Sequence, residues 1–165
     1  MIVGVLSDIH DNLDNLKKAI DVFQSYGAEE VIFCGDFCSP IPARFLSSNF
    51  FGKVHCVFGN GDGDRFAIKG FAVSGSSNLI LHGEYAEIEI DNRKIAATHF
   101  PFYAQALAEK NTYDAVFYGH SHIMEIEKIG KTLYANPGEI MGYKSPPSCG
   151  IYDSETNTIE IVRLD

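Results

Sequence analysis

Ile2-Val3-Gly4-Val5-Leu6-Ser7-Asp8-Ile9-His10-Asp11-Asn12 switches from apolar to polar within a few residues. Residues 2–6 are a short apolar run of the kind that forms a buried strand. Asp8 and His10 follow it almost without a spacer. Asn12 can cap a helix, and Leu13, Leu16, Ala19, Ile20 and Phe23 recur at three- and four-residue spacing, which places them on one face. Lys17, Lys18, Asp21 and Gln24 fall on the other face, and Gly27 is a natural stop. Residues 31–34 make the next strand, Pro40 and Pro42 open a short helix through Leu46, and residues 53–58 make a third strand. This alternation predicts a parallel sheet with right-handed crossovers.

The middle of the chain changes style. Residues 79–82, 84–90 and 94–98 read as strands, and Glu87-Ile88-Glu89-Ile90 alternates strictly, as a half-exposed strand does. Asp91-Asn92-Arg93 is a turn, so residues 84–98 form a hairpin. A short helix at 103–110, a buried strand at 114–118 and four further β segments at 124–129, 132–135, 150–153 and 158–163 complete the chain. Residues 59–63 and 73–78 are the loosest stretches. The expected fold is α/β, a two-sheet sandwich with outer helices in a single domain over residues 1–165. One sheet begins with parallel βαβ units and the other is more antiparallel.

Composition narrows the function. The chain has 165 residues, 45% hydrophobic and 21% charged, the balance of an ordinary globular protein. Its net charge is −9, and the 13 Lys and Arg are scattered, with no basic stripe for a nucleic-acid duplex. An acidic protein acting on an anionic substrate needs positive charge from elsewhere, and bound metal ions supply it. No apolar stretch approaches the ~18 residues of a membrane span. No signal-peptide pattern opens the chain, so a cytoplasmic location with reduced thiols is expected. The four cysteines, Cys34, Cys38, Cys56 and Cys149, lack the paired spacing of a zinc site and read as buried or incidental.

Five polar motifs each follow an apolar strand: Asp8-Ile9-His10, Gly35-Asp36, Gly59-Asn60-Gly61-Asp62, His99, and Gly119-His120-Ser121-His122. In open α/β sheets ligands bind beyond the carboxyl ends of strands, so these five ends converge on one edge. The donors are carboxylate oxygen, imidazole nitrogen and one amide oxygen, which suit a pair of divalent ions. Asp8 and His10, and likewise His120 and His122, are two apart and point the same way on an extended backbone. Gly35, Gly59 and Gly119 let the backbone turn tightly there. Alone, an Asp-x-His is more often a surface loop and a Gly-Asp more often a turn. Jointly, five strand-end motifs that hold four of the six histidines favour metal. His55 and His82 lie in or at the end of strands without companion donors and read as structural. Asp11 and Asp62 are open between orienting partners and plain loop residues. Asn12 reads as an N-cap ahead of an anion site.

D-x-H, G-D, G-N, an isolated H and G-H-x-H, in that order, resemble the calcineurin-like metallophosphoesterase superfamily. The short chain and Asn136-Pro137-Gly138-Glu139 are similar to its small, single-domain YfcE-type bacterial and archaeal phosphodiesterase branch. The resemblance implies that Asp8, His10 and His122 hold a first ion, that Asn60, His99 and His120 hold a second, and that Asp36 bridges both. Asp36, Asn60 and His99 then act in catalysis through the metals. Mn2+ is expected, with Ni2+, Fe or Zn2+ as alternatives. The implied activity is hydrolysis of a small phosphodiester by a metal-bridging hydroxide. A phosphomonoesterase, a nuclease and a non-catalytic protein-interaction scaffold of the same fold are the rivals, and a homo-oligomer is left open. Two departures stand out. Many relatives carry a proton-donating His where this chain has Gly61, and a further His where it has Phe100-Pro101.

Overall fold

The computed structural model describes residues 1–164. Eleven strands and four helices follow one another in the order β1 (Ile2–Leu6), α1 (Leu13–Ser25), β2 (Glu30–Phe33), α2 (Pro40–Asn49), β3 (Lys53–Cys56), α3 (Arg65–Ala72), β4 (Leu79–Leu81), β5 (Tyr85–Ile90), β6 (Arg93–Thr98), α4 (Pro101–Glu109), β7 (Ala115–Phe117), β8 (Met124–Ile129), β9 (Thr132–Pro137), β10 (Ser148–Asp153) and β11 (Thr158–Arg163). They form a six-stranded sheet ordered β11-β10-β1-β2-β3-β4 and a five-stranded sheet ordered β5-β6-β7-β9-β8. The result is the expected α/β sandwich. No described helix is long and apolar enough to cross a membrane.

Alternation within β1 shows how the layers arise. Val3 and Val5, with Ile32 of β2, face the second sheet and cluster with its Ile88, Ile95, Ala97 and Phe117. Leu6 faces outward into a cluster with Leu16, Ile20 and Phe23 of α1 and Leu46 of α2. A strand covered on both faces reads as a continuous apolar run. Each of these fully buried aliphatic or aromatic side chains contributes about 1.5–3 kcal/mol on transfer from water. On the far side, Ala104 and Ala108 of α4 lie on Ala96, Val116, Tyr118 and Tyr134. Their small side chains let the helix lie close to that sheet.

Two expectations change. α3 falls between β3 and β4 in a segment with no expected element, and it makes a third βαβ unit ending in the parallel strand β4. The second sheet is mixed: β5–β6 and β8–β9 are antiparallel, whereas β6–β7 and β7–β9 are parallel. α4 crosses over between β6 and β7, which forces those two strands to run the same way. The β5–β6 turn is as expected: Asp91 and Asn92 both have positive φ, as a two-residue type I′ turn requires.

Candidate metal centre

β1, β2 and β3 deliver Asp8, Asp36 and Asn60 from their carboxyl ends, and β6 and β7 deliver His99, His120 and His122 from theirs. All seven sequence-derived donors, His10 included, lie in one cluster across the edge where the two sheets meet. His122 Nε2 is 3.3 Å from Asp8 Oδ1, and His10 Nε2 is 3.6 Å from the same oxygen. Asp36 Oδ2 lies 3.5 Å from His10 Nε2 and 3.4 Å from His99 Nε2, so it faces both halves of the cluster. His99 Nε2 is in turn 3.1 Å from Asn60 Oδ1 and 3.3 Å from His120 Nδ1. Donors about 2.1 Å from a shared ion stand roughly 3–3.5 Å apart, which is the spacing here. Asp8, His10 and His122 form one group able to hold a cation, and Asp8, Asp36 and His99 form a second.

The unshared atoms explain why each donor points where it does. Asp8 Oδ2 accepts the Ser7 hydroxyl at 2.6 Å and the His120 amide at 3.0 Å, while Oδ1 is buried without a donor. His10 Nε2 is likewise buried and unpartnered. Buried polar atoms are almost always paired, so two orphans in one cluster fit a cation. Asp36 Oδ1 accepts the Gly61 amide at 2.6 Å, which leaves Oδ2 to the cluster. His99 Nδ1 donates to the Cys34 carbonyl at 2.8 Å, and His122 Nδ1 pairs with Glu139 Oε2 at 2.6 Å. A carbonyl or carboxylate on one ring nitrogen fixes the tautomer that offers the other to a metal. Burial alone would lift the Asp36 pKa, but His99, the Gly61 amide and His10 outweigh it and hold the carboxyl below its usual range. The nearby Asp8 carboxylate raises the His10 pKa against burial; burial would lower that of His99, but Asp36, Asp8 and the Cys34 carbonyl together outweigh it and raise it.

The backbone corrects the extended geometry expected for the two paired motifs. Asp8, His10, Asp36, His120 and His122 have φ of 54°, 45°, 69°, 67° and 63°. The chain curls off each strand end instead of continuing it, and left-handed residues separated by one ordinary residue aim both side chains inward. Asp and His are among the residue types that tolerate this region best. The glycines serve differently from the sequence expectation. Only Gly35 has positive φ. Gly59 and Gly119 are needed for close approach, since a Cβ would lie 2.8 Å from the His99 ring at Gly59 and 2.6 Å from Asp8 Oδ2 at Gly119.

Other residues sort out as follows. Asp62 Oδ2 accepts from the amides of Asp36 and Gly59 and Oδ1 from that of Cys38, so it ties together the two loops that carry Asp36 and Asn60. Burial outweighs those amides and raises its pKa. Asp11 is exposed and accepts only the Ser39 hydroxyl, away from the donors. Asn12 caps α1 through Asn15 and spends its amide on the Met141 carbonyl, so no anion site is built there. His55 pairs with His82 through Nδ1 and with Glu30 through Nε2, outside the cluster. Cys34, Cys56 and Cys149 are buried, but Cys38 is not incidental: its sulfur lies 3.1 Å from His10 Nδ1. Burial and nearby carboxylates push that thiol up to about 11, so it stays protonated at neutral pH. Phe100 and Pro101 start α4 directly after His99, and the Phe100 ring lies 5.1 Å from the rings of both His99 and His120. Glu139 went unassigned in the sequence, where it shows only as the residue after Asn136-Pro137-Gly138. Asn136 is a further anchor, donating to the Gly119 carbonyl and the Ser121 hydroxyl of the His120 loop.

Known proteins are similar to this chain in sequence and fold. The model of the calcineurin-like phosphoesterase superfamily domain matches residues 1–157. A phosphodiesterase of Methanocaldococcus jannaschii is 34% identical over the full length of both chains. Phosphodiesterase YfcE of Escherichia coli is 24% identical over 93% of this chain and 88% of its own. The solved structure of an archaeal phosphodiesterase superposes with a TM-score of 0.90 at 34% identity, covering 99% of this chain and all of its own. Vps29 from Cryptosporidium parvum reaches 0.69 at 19% identity over 98% and 95% of the two chains, a likeness of fold alone. With the family model matching nearly the whole chain and a full-length relative 34% identical, the chain belongs to the calcineurin-like phosphoesterase superfamily.

Proposed function

We propose that this protein is a metal-dependent phosphodiesterase, built as one domain, that holds two divalent ions at Asp8, His10, Asp36, Asn60, His99, His120 and His122. The observation that carries the reading is the convergence of all seven donors from both sheets, with Asp8 Oδ1 and His10 Nε2 buried and unpartnered. The match to relatives named as phosphodiesterases supports the substrate class. Asp8, His10 and His122 would hold one ion and Asn60, His99 and His120 the other, with the Asp36 carboxylate serving both. Bound divalent ions supply Lewis acidity toward phosphoryl oxygens and lower the pKa of water. The chain's own part is to fix these donors, and its buried carboxylates favour a substrate with one negative charge over one with two. Mn2+ is the first choice of ion, with Ni2+, Fe or Zn2+ as alternatives. A small phosphodiester in the cytoplasm suits a net charge of −9 better than a nucleic-acid duplex does.

Gly61 sharpens the reading. Its amide holds Asp36, and a Cβ there would lie 3.0–3.1 Å from the Asp36 carboxyl group. A histidine at 61 would therefore press on the shared carboxylate, so the position suits the metal site and offers no proton donor. A general acid contributes about 100-fold or more, so leaving groups of low pKa are favoured. Metal analysis after Mn2+ loading is expected to approach two equivalents per chain, and kcat/KM is expected to fall from aryl diester to aryl monoester to alkyl monoester. Metal content near zero would refute the site, and an alkyl monoester as best substrate would refute the diesterase reading.

A further inference from the structure

A cavity of about 590 Å3 lies on the outer face of the second sheet, between α4 and β5. Its walls are the rings of Tyr85, Tyr103 and Tyr113 with Leu107, Ala106 and Thr98. None of the seven metal-site residues lines it, yet it adjoins their second half by two routes. The first is a ladder of rings, with His120 to Phe100 at 5.1 Å and Phe100 to Tyr103 at 5.9 Å. The second is Arg65, which donates to the Gly59 carbonyl beside Asn60 at 2.6 Å and to Glu84 on the cavity rim at 3.0 Å.

Most polar groups of the cavity are matched to one another. Tyr85 and Tyr113 both donate to Glu87 Oε2, at 2.8 and 2.9 Å, and Lys94 pairs with Glu87 Oε1 at 2.9 Å. The Thr98 hydroxyl donates to the Glu84 carbonyl. Lys110 also lines the cavity, and ring faces and aliphatic carbon make up most of the rest of the wall that meets a ligand. Tyr103 is 55% exposed and Phe102 beside it is 79% exposed, which extends the aromatic surface toward the mouth. The volume lies within the range of small-molecule sites.

From this juxtaposition we infer that the cavity is a subsite for a planar ester group of the substrate, an aryl or nucleobase ring, that it holds by stacking while the phosphate lies at the metal centre. The inference rests on the diesterase reading and narrows it to diesters that carry at least one such ring.

Two diesters with the same leaving group isolate the effect: bis(4-nitrophenyl) phosphate and methyl 4-nitrophenyl phosphate. With the Mn2+-loaded wild type, KM is expected to be about tenfold lower for the bis-aryl ester. Tyr103→Ala and Leu107→Gln are expected to reduce the kcat/KM ratio of the two esters toward one. A ratio unchanged in both variants would overturn the subsite. A direct binding measurement on the metal-free chain separates this from the activity. Diphenyl phosphate should shift the NMR signals of the Leu107, Ala106 and Thr98 methyls, and dimethyl phosphate should not. Absence of hydrolysis of either ester would sink the diesterase reading, whereas hydrolysis of both with equal KM, or no methyl shifts with diphenyl phosphate, would sink the subsite alone.

Discussion

Glu139 lies 17 residues beyond His122, is fully buried, and accepts the amides of Lys144 and Ser145 as well as the His122 ring. Burial raises its pKa, but His122 and those amides outweigh this and keep the carboxyl below its usual range. It therefore stays ionised and aims His122 Nε2 at Asp8. Glu139→Gln keeps the shape and an acceptor while removing the charge, so the variant should fold, and its metal affinity should fall roughly 10–100-fold. Chelator competition on wild type and variant measures this, and equal affinities would remove Glu139 from the site. No periodicity or spacing points to such a residue, because the β8–β9 hairpin separates it from its partner. The seven donors were legible because each directly follows an apolar run. Left-handed φ at five of them was not legible, since Asp and His occur at ordinary φ far more often.

At the scale of elements, most boundaries were readable to within two or three residues, and α3 shows where reading stops. It spans eight residues, buries only Ile68, and contains Gly70. Too few apolar positions repeat to reveal a face. What holds it is a cap, since Asp64 accepts the Ala67 amide at 2.9 Å. Asp64→Ala should cost about 1 kcal/mol. Gly70→Ala should stabilise by about 0.5–1 kcal/mol, because Gly70 has no positive φ and nothing lies within 4 Å of an added Cβ. Denaturant midpoints read both, and a destabilised Gly70→Ala would mean that α3 is not helical in solution. The mixed pairing of the second sheet was illegible for another reason: β7 has three residues, and strand direction is decided by how α4 returns the chain.

On the scale of the whole molecule, Asp8, Asp36 and Asn60 come from the first sheet and His99, His120 and His122 from the second, so ions held by the proposed donors would tie the two layers together. Metal at about 1,000 times its Kd should add about 4 kcal/mol, a rise in Tm of roughly 10 °C for a chain of this size. The pH dependence has a definite sign. His10 and His99 have raised pKa values in the metal-free chain, so their contribution to its stability is full below the ordinary imidazole value of 6.5 and is lost as pH rises through the raised values. Metal requires the neutral rings. The metal-induced rise in Tm should therefore shrink as pH falls, beginning above 6.5. Thermal melts with and without Mn2+ across that interval would show it, and a constant increment would mean that these rings do not bind the ion. The central place of β1 has a consequence for synthesis. β1 pairs with β2 on one side and with β10 on the other, Val3 standing opposite both Glu30 and Tyr152. β1 emerges from the ribosome well before β10, so the nascent chain carries an open apolar strand edge until β10 has followed. Such an edge is a template for pairing with other chains. Crowding on a polysome, more than heat, is then the condition under which this protein is most exposed to aggregation.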